Sequence, residues 1–133
     1  MKKIIFSLFA LLLTMGLVQN AAAQNAPAKR ANWQEMHDFH DVMSITFHSA
    51  EEQNFAPLKE KSGLLIERAK TWQKSAVPAG YKVEVTHEVL KRLVKQCKKV
   101  DKLVKKESSD AELFTGIKTA HEIFHEIMEK CRE

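Results

Sequence analysis

From Trp33 to Cys131 the apolar side chains return at alternating intervals of three and four residues, the period of helices that each bury one face. Only Gly63, Gly80, Gly116, Pro57 and Pro78 interrupt that stretch, too little punctuation for a many-stranded β-domain. Trp33, Met36, His40, Met43, Phe47 and Ala50 form the first seam, with His40 in a core position. Asn54 suits an N-cap and Pro57 the first turn of a second helix, whose seam is Leu58, Ser62, Leu65, Ala69, Trp72 and Ala76. After the break at Val77-Pro78-Ala79-Gly80, a third helix starts between Lys82 and Thr86 and turns Leu90, Leu93, Cys97, Val100 and Val104 inward. Ser109-Asp110-Ala111-Glu112 has the form of a capping box and opens a fourth helix with Leu113, Ile117, His121, Phe124, Met128 and Cys131 on its seam. Four such helices joined by short turns predict an all-α, up-down-up-down antiparallel four-helix bundle over residues 33–133.

The first 23 residues read differently. Lys2 and Lys3 precede an apolar run from Ile4 to Val18, and Ala21-Ala22-Ala23 supplies small residues for cleavage, so residues 1–23 are expected to be a secretory signal peptide. The run is shorter than the roughly 20 residues that span a bilayer, so no membrane span is expected after processing. Residues 24–32 are small and polar, with Pro27, and read as a flexible leader. The expected location is the periplasm of a bacterium or the outside of the cell. Removing 23 of the 133 residues leaves one domain of 110, with 19 lysines and arginines against 17 acids. A charge of +2 argues against nucleic acid as a partner.

Counting from the turns at residues 54 and 108, which share one end of the bundle, gives each side chain a height. His40 lies 14 residues from that end and His121 lies 13, while His37 and His125 both lie at 17. Two pairs at spacings i, i+3 and i, i+4 thus fall in neighbouring layers on the first and fourth helices, which places their rings on one face. Neutral imidazole suits copper(II) and zinc, and methionine sulfur suits copper(I). The expected ligands of a copper or zinc ion are His40, His121 and His125, with His37 or Met43 completing the set. His48 is left out because it lies about three turns above His37. The bland alternative has His40 and His121 as hydrogen-bonded core residues and His37 and His125 at the surface. Cys97 and Cys131 lie 12 residues apart in height, about 18 Å and beyond the roughly 7 Å that a disulfide bridges, so two free thiols or an intermolecular bond are expected.

His121-Glu122-Ile123-Phe124-His125 also fits H-E-x-x-H, the zinc-protease helix. It stands close to the C-terminus with no third ligand following and no sheet to hold a peptide, so a protease is not expected. No nucleophile, acid and base arrangement points to any other catalysis. Lys91, Lys95, Lys98, Lys102 and Lys105 form one stripe on the third helix, a solvated face by default and a possible seat for an acidic protein partner.

Two resemblances follow from these residues. The bundle, its export signal and its ligand positions near the start of the first helix and the end of the fourth resemble the periplasmic four-helix-bundle cytochromes of the b and c-prime types. That resemblance implies non-covalent haem b held between a methionine and a histidine for electron transfer, with Met36 and His125, or Met43 and His121, matching by position. C-x-x-C-H is absent, which excludes covalent haem. Phe39-His40-Asp41-Val42-Met43-Ser44-Ile45-Thr46-Phe47-His48, the following Ala50-Glu51-Glu52 and Pro57, and His121 to His125 with Cys131 resemble a family of exported bacterial helical proteins without an assigned activity, which implies the fold and a histidine-rich site but no reaction. A structural or interaction bundle whose histidines bind nothing is the remaining expectation.

Overall fold

A computed structural model describes residues 32–133. The expected signal peptide, residues 1–23, and almost all of the expected leader lie outside the described residues. Four helices follow one another: α1 (Gln34–Glu51), α2 (Ala56–Lys74), α3 (Val83–Lys105) and α4 (Asp110–Lys130). Among the described residues there is no strand, only an isolated antiparallel bridge between Tyr81 and Arg132. No helix among them is long and apolar enough to cross a membrane. The helices pack as a ring, α1 on α2, α2 on α3, α3 on α4 and α4 on α1, and the α1–α4 joint is the thinnest of the four.

Local chemistry sets the ends. The Ser109 hydroxyl accepts from Glu112 N while the Glu112 carboxylate accepts from Ser109 N, which satisfies two of the donors a helix start leaves open. Asn54 acts one residue earlier than a cap: its Oδ1 accepts from Ala56 N at 3.2 Å, and Phe55 occupies the cap position without a side-chain bond. Helices α1 and α3 both end in a Schellman motif. Gln53 N and Asn54 N donate to Ala50 O and Ser49 O, and Glu107 N and Ser108 N donate to Val104 O and Leu103 O. Such a motif places its C′ residue in the left-handed region, here Gln53 (φ 62°) and Glu107 (φ 53°). Because a side chain is strained there and glycine is not, Glu107→Gly should raise stability by up to about 1 kcal/mol, read as a higher urea midpoint at unchanged slope.

Inside the ring, Trp33, Phe39, Trp72 and Phe124 form an aromatic cluster, with ring centroids 5.4 to 6.0 Å apart for four of its pairs. The first seam runs through Trp33, Met36, Phe39, Met43, Thr46, Phe47 and Ala50, so the core residue is Phe39 and His40 is exposed. Residues three and four beyond Met36 flank the same inward direction, and the phenyl ring gains more from burial than an imidazole does. The α2 seam is as expected from Leu58 to Trp72, whereas Ala76 falls beyond the helix and is exposed. Gly116 lets α4 approach α3: a Cβ there would sit 3.1 Å from Leu103 Cδ1 and 3.3 Å from Val100 Cγ2. At the other end the last residues are tied back, with Lys82 N donating to Cys131 O and Glu133 N to Gly80 O.

Candidate functional site

Five of the six histidines stand on α1 and α4. On their shared joint, contacts climb α1 as they descend α4: His40 stacks on Phe124 with centroids 5.2 Å apart, and Phe47 stacks on His121 at 3.9 Å and 14°. His121 is half-buried, and the His125 ring stands edge-on to it at 4.6 Å. The next ring is His48, 6.3 Å from His121, whose Nδ1 lies 2.8 Å from Glu51 Oε2. Glu129 Oε1 stands 3.6 Å from His125 Nδ1.

This differs from the ligand set expected of the sequence. His121 and His125 do come together. His40 stacks on Phe124 rather than reaching His121, and His37 is exposed, with no other aromatic ring against it among the described residues. Met43 is fully buried and Met36 nearly so, on the inward side of α1. Part of the reason is the lean of helical side chains toward their own N-terminus. With the joint's contacts running in opposite senses, the His40 ring tips toward the end of α4 and the His121 ring tips toward the end of α1. Equal backbone heights therefore put His121 beside Phe47 and His48, and His48 and Glu51 are the residues that sequence reasoning missed. Among the described residues, no three His, Cys, Asp or Glu side chains are arranged to hold one ion as they stand.

Electrostatics single out one ring. Burial lowers the His121 pKa from its ordinary 6.5, and the neighbouring His125 and His48 lower it further, so at neutral pH its free nitrogen keeps a lone pair for a ligand. Glu122, the middle residue of H-E-x-x-H, is exposed. His87 is exposed near the start of α3.

Phe39, Trp72 and Phe124 are in mutual contact, and a porphyrin has to displace them to lie between Met36 or Met43 and an α4 histidine. Both cysteines are free and buried. Burial pushes the Cys97 thiol up to about 12, which makes it unreactive, because the thiolate is the nucleophile and the ligand. Cys131 is raised for the same first reason, and the neighbouring Thr86 hydroxyl finds no oxygen or nitrogen partner. No family model, no curated protein and no solved structure matches the chain.

Proposed function

We propose that the chain is an exported up-down-up-down bundle that binds copper(II) or zinc reversibly on its α1–α4 face. The observation that carries this reading is the pairing of His121 and His125 with ring centroids 4.6 Å apart, with His48 at 6.3 Å from the first. The i, i+4 pair supplies two imidazoles from one helix, as in zinc-binding helices. His48 reaches the same ion by turning about its own side-chain bonds. Open positions are left to water, which describes an exchangeable site rather than a closed structural one. Helix α1 carries Glu35, Asp38, Asp41 and Glu51 and no lysine or arginine, a field that attracts cations. The up-down order is supported by the ring of neighbours, the short connections and the opposed run of contacts along α1 and α4. Export is supported by the pattern of the first 23 residues. Haem b ranks second because the aromatic trio occupies its space, and a bundle that binds no ligand ranks third.

Titration of the purified protein with zinc or copper(II), followed by elemental analysis and an absorption spectrum, tests this order. One ion per chain is expected, with affinity falling at least about tenfold in His121→Ala and unchanged in His37→Ala. A Soret band with stoichiometric iron would overturn the metal-ion reading, and so would equal binding by both variants.

A further inference from the structure

The diagonal opposite of α1 in the ring is α3, and its outer face carries the opposite charge. Four of the 21 lysines and arginines precede residue 32, so the described chain holds 17 against 17 acids and is neutral. Eight of those 17 bases nevertheless lie between Lys91 and Lys106, and all eight are exposed. Lys91, Lys95, Lys98, Lys102 and Lys105 run in line at steps of four and three, a row about 21 Å long, flanked by Lys99 and Lys106. The only acid in the interval, Asp101, is buried and turned to Ser62 Oγ at 2.9 Å and Lys105 Nζ at 2.6 Å. The only arginine, Arg92, is already held by both oxygens of Glu126 at 2.9 and 3.1 Å.

We infer that this lysine face of α3 docks on a bilayer surface bearing anionic phospholipid, leaving the α1–α4 histidines on the side turned away from it. Composition decides between lipid and protein. Stable protein interfaces are depleted in lysine and anchored by tryptophan, tyrosine and free arginine, and this face offers none of those. With Lys105 held by Asp101, the other six lysines are flexible, strongly hydrated point charges, suited to a fluid array of phosphates that arranges itself around them. A cluster of four to eight basic residues on one helix face is the pattern by which lipid headgroups are held, at about a fivefold gain in binding per residue. Because the described chain is neutral and the expected processed chain carries only +2, attraction has to come mainly from this face and not from overall charge.

Sedimentation of the exported, processed chain with vesicles tests it, using phosphatidylcholine alone or with about one-third phosphatidylglycerol, the anionic fraction that sets the surface potential. Binding is expected only to the anionic vesicles, and it should fade as salt shortens the Debye length. The triple variant Lys95→Gln, Lys98→Gln, Lys102→Gln should bind on the order of 100-fold more weakly while keeping its helical signal. Lys82→Gln, Lys118→Gln, Lys130→Gln, which removes the same charge elsewhere, should bind as the unaltered protein does. Equal losses in the two triple variants, or retention on duplex DNA without retention on anionic vesicles, would overturn the inference. The outcome is independent of whether the histidine face takes a metal.

Discussion

Trp72→Ala is expected to remove about 3–5 kcal/mol of folding stability, a large part of the roughly 5–15 kcal/mol that holds a domain together. Trp72 is fully buried and touches Trp33, Phe39 and Phe124, so truncation empties the centre of the aromatic cluster where three helices meet. Trp72→Phe should be far milder. The indole Nε1 of Trp72 is buried without a hydrogen-bond partner, and an unpaired buried donor costs about 1–3 kcal/mol. Losing that donor offsets part of the lost packing, leaving a net change below about 1.5 kcal/mol. Urea unfolding followed by helical circular dichroism distinguishes the two variants. Similar midpoints for both would show that volume at this position is not what holds the cluster.

Asp101→Asn is the second large effect, with an expected loss of about 1–3 kcal/mol near neutral pH. The carboxylate accepts from the Ser62 hydroxyl of α2 and from Lys105 one turn along α3, so one side chain ties two helices together. The Lys105 hydrogen bond, with Ser62 adding to it, holds the Asp101 pKa below its ordinary 3.8. A carboxyl depressed in the native state contributes its full stability above its unfolded value and loses it as pH falls through the lower folded value. The gap between the native protein and Asp101→Asn should therefore be constant above pH 3.8 and close below it. A gap that instead widened in acid would show that the charged form is not the one the fold favours.

Helix number was legible from the apolar period, and helix ends from capping side chains and from the turn residues between seams. Ser109 and Glu112 form the box their spacing implies, and α3 starts at Val83, within the expected interval. The phase of α1 was not legible from spacing alone. Phe39 and His40 both continue the interval from Met36 and both precede Met43 by a permitted step, so only the burial preference of the ring decides, and the phenyl wins. At the site, His121 and His125 were legible because a single helix sets their relation. Partners across a joint were not, since counting residues locates backbones while the opposed lean of side chains decides which rings meet. That lean, together with the axial register of the two helices, puts His121 at the level of Phe47 and His48 rather than that of His40. The separation of the two cysteines needed no such detail, and both are free.

The thin joint between α1 and α4 has a consequence for how the molecule breathes. Three of the four joints link helices adjacent in sequence, and the fourth links the first to the last, so it spans the longest loop and forms at the greatest entropic expense. Local opening concentrates where packing is sparse, which here means along the line of Phe47, His121 and His48. A ligand held by rings from both helices binds only the closed form, and by mass action it draws the population toward closure. An ion shared by His48 and the α4 pair would thus act as a clasp on the seam that the apolar core leaves weakest, and amide exchange along α1 would slow in step with its occupancy.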